Sequence, residues 1–177
     1  MVDSEKEEQQ TELQRALAKH FLMENYNTFI TLTFKGEAVT SYAHAQKAFG
    51  RFMHSLRCKL FKERSRYRMP LLAVVEGYPG RPMCTGPLQM PHERTHIHCC
   101  IRLPDGKSDY RELVRHCWLD ADASSGDPLI IDPTGDKWFI DIPDAVSMER
   151  YVHYSLKQCR CDHEPVLWNF ARRIPTA

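Results

Sequence analysis

The stretch Thr95-His96-Ile97-His98-Cys99-Cys100-Ile101 (THIHCCI, residues 95–101) decides how this chain reads. On a β-strand alternate side chains face the same way, so residues 96, 98 and 100 share one surface and 97, 99 and 101 the other. Two imidazoles therefore project together from one face. Upstream, Leu71 to Glu76 (LLAVVE) is a continuous apolar run that ends in a carboxylate, which predicts a second strand. Between the two runs, Gly77, Pro79, Gly80, Pro82, Gly86, Pro87 and Pro91 resist regular structure. The pair reads as a hairpin with an extended connection.

Working outward, Thr28 to Phe34 (TFITLTF) is dense in β-branched and aromatic residues and predicts a strand that Gly36 ends. Lys137 to Ile142 (KWFIDI) predicts a fourth. From Ser41 to Phe61, Ala45, Ala48, Phe49, Phe52, Met53, Leu56 and Leu60 recur at helical spacing. Asp109 to Asp120 repeats that periodicity with Leu113, Val114 and Trp118, and Asp144 is an N-cap for a last helix running to about Gln158. Residues 5 to 24 predict an amphipathic helix ahead of the first strand, with Leu13, Ala16, Leu17 and Phe21 on one side. The order is helix, strand, helix, strand, strand, helix, strand, helix. Its middle is the βαββαβ plan of an α+β, ferredoxin-like or RRM-like antiparallel sheet with helices on one face, plus an N-terminal helix.

A chain of 177 residues buries one substantial core and leaves little room for a second enzyme domain. We read residues 1–177 as a single domain: a helix over 1–25, a core over 28–158 and a C-terminal extension over 159–177. Seven cysteines, an odd number in a chain with ample apolar residues, are expected to be free thiols. The N-terminus is acidic and polar, unlike a secretory signal, and no apolar stretch is long enough to span a bilayer, so the expectation is an intracellular protein without a membrane partner. A net charge of +1 does not advertise a nucleic-acid binder, yet the charge is unevenly spread. Arg51, Arg57, Lys59, Lys62, Arg64, Arg66 and Arg68 lie against Glu63 alone, and such a stretch can track a DNA backbone, with Tyr67 available for stacking. A solvated helix face is an equally good reading of it.

The chemistry centres on His96 and His98. A bare pair two apart often falls by chance on an amphipathic strand, but in the predicted hairpin Glu76 faces the pair and supplies a carboxylate. Two imidazoles and a carboxylate form an open ligand set for a divalent ion. Cys100 shares their face and could approach the same ion, although cysteines are usually buried and inert. Cys159, Cys161 and His163 are three candidate zinc ligands without the spacings of known fingers, and we do not read them as a zinc site. On the last helix Tyr151 and Tyr154 lie three apart and share a side.

Three blocks in order, FITLTF at 29–34, THIHCCI at 95–101 and RYVHYSLKQ at 150–158, resemble the HUH endonucleases that initiate rolling-circle replication. The resemblance spans most of residues 28–158. It implies that His96, His98 and Glu76 hold Mn2+ or Mg2+. It also implies that a tyrosine on the last helix attacks single-stranded DNA, leaving a 5′-phosphotyrosine and a free 3′-hydroxyl. The family sets a lysine three residues after the nucleophile, which Tyr154 and Lys157 match, with Tyr151 as the alternative. A nucleophile placed after the histidines resembles replication initiators and some single-strand transposases, and not conjugative relaxases. The implied partners are an origin stem-loop and the host replication machinery, in the cytoplasm of a bacterial or archaeal cell. A single-strand transposase and a non-catalytic nucleic-acid-binding domain on the same fold are the alternatives.

Overall fold

A computed structural model of the chain describes residues 2–34, 40–62, 69–77, 95–105, 110–121, 138–159 and 165–170, with side chains described from residue 12 onward. Its elements follow the predicted order: α1 (Val2–Phe21), β1 (Thr28–Thr33), α2 (Tyr42–Phe61), β2 (Leu71–Glu76), β3 (His96–Ile101), α3 (Tyr110–Ala121), β4 (Phe139–Asp141) and α4 (Ala145–Leu156). Local chemistry sets several of these bounds. Ser41 caps α2 by accepting the His44 N–H at 3.3 Å, and Asp144 caps α4 by accepting the Ser147 N–H at 2.7 Å. Each cap satisfies a backbone donor that the first helical turn leaves unpaired.

The four strands form one antiparallel sheet in the order β2-β3-β1-β4, the arrangement of a ferredoxin-like α+β fold. β3 is central, pairing with β1 on one side and β2 on the other. The outer edge of β2 is covered: Leu167 N–H donates to the Ala73 carbonyl at 2.9 Å and Val75 N–H to the Pro165 carbonyl at 3.1 Å. That pairing removes an exposed strand edge.

The sheet separates two apolar clusters. Ile30, Leu32, Ala73, Val75, Ile97 and Cys99 pack with α2 and α3, around the fully buried Trp118. The Trp118 indole N–H donates to the Thr33 carbonyl at 2.9 Å, so its polar atom is satisfied inside the core. Phe29, Leu72, Val74 and Cys100 pack on the opposite face with Leu17, Ala18 and Phe21 of α1 and Val152 and Leu156 of α4. Thus α2 and α3 lie on one face as expected, while α1 and α4 cover the other. This explains why LLAVVE shows no alternation: every residue of β2 is buried, because both faces of the sheet are covered. Gln14 of α1 also donates its side-chain amide to the carbonyls of Lys157 (3.0 Å) and Cys159 (3.2 Å), satisfying acceptors at the end of α4.

Candidate active site

Strand register brings the predicted ligands together. Glu76 pairs directly with His96, while His98 pairs with Val74 on β2 and with Thr31 on β1. All three candidate ligands point to the α1/α4 face, since residues 76, 96 and 98 share the parity of Leu72, Val74 and Cys100. His96 Nε2 lies 3.2 Å from His98 Nε2, and Glu76 Oε2 lies 3.3 Å from the first and 3.6 Å from the second. Three donor atoms bonded to one cation at about 2.1 Å stand roughly 3.0 Å apart in an octahedral arrangement and roughly 3.4 Å apart in a tetrahedral one. Two sides of the observed triangle, 3.2 and 3.3 Å, fall between those values, and the third, 3.6 Å, is slightly longer.

Glu76 carries a second mark of an ion site. Its side chain is 1% exposed, and neither carboxylate oxygen accepts a hydrogen bond from any described residue. A buried anion without hydrogen bonds is costly, and cations are what compensate it. Among the described residues the nearest formal cation is Lys157, whose Nζ stands 3.4 Å from Oε2. Burial acts to raise the Glu76 carboxyl, but the facing imidazoles of His96 and His98 outweigh it and hold the group below the usual carboxylate range. Burial also lowers the His98 imidazole, against the smaller opposing pull of Glu76. An ionised carboxylate beside a neutral imidazole is the protonation state that metal ligation requires. These residues therefore fit a divalent cation in both geometry and charge.

The tyrosine helix closes the other side. Tyr154, 46% exposed, sets its ring edge-on to His98 with centroids 4.9 Å apart, and the Lys157 ammonium lies 3.7 Å from the centre of the Tyr154 ring. Tyr151 is half-buried and stacked on Phe29 at 4.6 Å, and Phe29 in turn stacks on His98 at 5.5 Å. A cavity of about 450 Å³ is lined by these groups together with Thr31, Ile140 and Arg150. Its floor is the sheet and its wall is α4. It is open to solvent at Tyr154 and Arg150, both exposed.

The sequence-predicted residues fall into three groups. Glu76, His96, His98, Tyr151, Tyr154 and Lys157 line the one cavity. The basic stretch does not join them: Arg51, Arg57, Lys59 and Lys62 belong to α2 or its end, on the opposite face of the sheet. Arg51 donates to the Ala121 carbonyl and Lys59 pairs with Asp120 at 3.6 Å, so both are engaged with α3. Arg64, Arg66 and Arg68, like Tyr67, Cys161 and His163, lie outside the described residues. Cys100 shares the ligand face but is no ligand. Its Sγ sits 3.8 Å from Ser155 Oγ, burial pushes the thiol up to about 12, and the metal-competent group is Glu76, His96 and His98 alone among the described residues. Sequence reasoning did not single out Thr31, Phe29 or Arg150. The signals were present, since Phe29 and Thr31 alternate on β1 and Arg150 stands one helical turn before Tyr154.

No helix among the described residues is long and apolar enough to cross a membrane. The chain matches no protein-family model, no curated protein and no solved structure.

Proposed function

We propose that this cavity is the active site of a metal-dependent endonuclease that nicks single-stranded DNA and stays covalently joined to it, as a rolling-circle replication initiator does. One observation carries the reading: a buried carboxylate and two imidazoles converge on one point while a tyrosine on a separate helix meets the same imidazole and carries an ammonium over its ring. A structural role for the histidines explains neither a buried Glu76 carboxylate that accepts no hydrogen bond from the described residues nor the exposed Tyr154.

Each residue has a task. Glu76, His96 and His98 hold Mn2+ or Mg2+, which when bound draws charge from the non-bridging oxygens of a phosphodiester and orients it. Tyr154 is the nucleophile. Its phenolic oxygen forms a bond to phosphorus as the bond from phosphorus to the 3′-oxygen breaks, and the phenolic proton ends on that departing oxygen. The products are a 5′-phosphotyrosine and a free 3′-hydroxyl, and the phosphotyrosine conserves the linkage for later rejoining. Lys157 favours negative charge on the tyrosine oxygen and the phosphate through its ammonium. Tyr151, stacked against Phe29, forms the apolar wall. Arg150 at the mouth fits a phosphate of the incoming strand. In the cell the substrate is an origin stem-loop, and the 3′-hydroxyl passes to the host replication machinery.

The test uses a pool of single-stranded oligonucleotides of random sequence, labelled at the 5′ or the 3′ end, with the protein and Mn2+ on a denaturing gel. The reading expects the 3′ label to migrate with the protein and the 5′-labelled fragment to be free and extendable by a polymerase. His98→Ala is expected to abolish both. Cleavage without a protein-linked fragment, or full cleavage by His98→Ala, overturns it.

A further inference from the structure

We infer that Thr31 is a positioning residue for the metal centre: its hydroxyl receives the Nδ1–H of His98 and so keeps the Nε2 lone pair of that imidazole aimed at the ion. The inference rests on the metal-site reading above and concerns which residue makes that site tight.

The side chain of His98 is 4% exposed, and its Nε2 is the atom that faces Glu76 Oε2 and His96 Nε2. An imidazole that ligates through Nε2 must carry its proton on Nδ1. A buried Nδ1–H needs an acceptor, or the site loses the cost of an unpaired donor. The residue at hydrogen-bond distance from Nδ1 is Thr31, whose Oγ1 lies 3.2 Å away and which is itself 8% exposed. Sheet register puts it there, because Thr31 of β1 is paired directly with His98 of β3.

Thr31 is also held firmly. Its backbone N–H donates to the Trp138 carbonyl at 2.7 Å, and a β-branched side chain has few χ1 rotamers on a strand. Phe29, two residues earlier on the same face, stacks on the His98 ring with planes 26° apart. The stack fixes the plane of the imidazole, and the hydroxyl fixes its rotation within that plane. Two residues of one strand therefore set the direction of a ligand carried by its neighbour. Removing such an outer hydrogen bond commonly weakens a metal site by about 10- to 100-fold.

The experiment is Mn2+ titration calorimetry on wild type, Thr31→Val and Thr31→Ser. Valine keeps shape and strand preference while deleting the acceptor, and serine restores the hydroxyl. We expect Thr31→Val to bind Mn2+ on the order of 10- to 100-fold more weakly and Thr31→Ser to recover most of that loss. In the Zn2+-loaded protein, the His98 Nδ1–H should give a slowly exchanging proton resonance in wild type and in Thr31→Ser, and a rapidly exchanging one in Thr31→Val. A packing defect alone would move neither the resonance nor its rescue by serine. Mn2+ binding by Thr31→Val within twofold of wild type, or no recovery in Thr31→Ser, overturns the inference and leaves the metal site standing. Wild type that binds neither ion overturns the metal site itself.

Discussion

Replacing Lys157 by methionine should tighten metal binding while weakening the metal-free protein. In the structure its ammonium is 3.4 Å from Glu76 Oε2, the oxygen that also faces both imidazoles. The ammonium and a divalent ion thus compete for one carboxylate. Lys157 is 36% exposed, so its charge is screened more than an interior one would be. With an effective dielectric constant of about 40, two unit charges at that distance interact by roughly 2.4 kcal/mol, and the hydration and side-chain freedom regained on release offset about half. What remains, about 1–1.5 kcal/mol, corresponds to a roughly five- to twelvefold gain in Mn2+ affinity for Lys157→Met. The same change strips Glu76 of the Lys157 ammonium, so the metal-free variant should melt about 2–6 °C lower and regain that loss when Mn2+ is added. Titration calorimetry and thermal melts with and without Mn2+ measure both effects. Mn2+ binding by Lys157→Met that is equal to or weaker than wild type would refute the competition.

Acid should destabilise the metal-free protein in two steps. The folded state holds His98 below its ordinary value of 6.5, so it binds fewer protons than the unfolded chain, and stability present above about pH 6.5 is lost as the pH falls below it. Glu76, held below its ordinary 4.5, adds a second loss under about pH 4.5; melting curves should show both limbs, and a Glu76→Gln variant should lack the lower one. For DNA, Arg150→Ala should weaken single-strand binding and lower the slope of log affinity against log salt by about one, whereas Lys59→Ala, on the opposite face and paired with Asp120, should leave both within about twofold of wild type. Equal losses in the two variants would return the α2 basic stretch to the DNA path.

Much of the fold was legible because strands and helices announce themselves by different periods. The spacing of Ala45 to Leu56 could only be a helix, and His96-Ile97-His98 could place both imidazoles on one face only if it was a strand. Glu76 was within reach of the reading because a hairpin pairs the last residue of one strand with the first of the next, and the register does pair Glu76 with His96 across a long connection. What one sequence could not convey was the second layer of helices. The full burial of Leu71 to Glu76 fits any covered strand, and nothing in α1 or α4 by itself says which side of the sheet it meets. That choice determines the site, since the face taken by α4 is the face where a tyrosine can meet the histidines. It also sends α2 and its cations to the other side, where a charge count along the chain saw only a basic stretch. Thr31 was hidden for a similar reason. A threonine in a strand is ordinary, and only cross-strand register shows that its hydroxyl meets His98 Nδ1.

The proposed nicking reaction leaves one directly observable product, a covalent bond between Tyr154 and DNA. After incubation with Mn2+ and the random single-stranded pool, nuclease digestion and protease cleavage, mass spectrometry should find a nucleotide joined through a 5′-phosphate to the peptide containing Tyr154. Tyr154→Phe should lose the adduct and still bind Mn2+ as wild type does. An adduct that persists in Tyr154→Phe, or that maps to Tyr151, contradicts the assignment of the nucleophile, and metal-loaded wild type that forms no adduct contradicts the nicking chemistry as a whole.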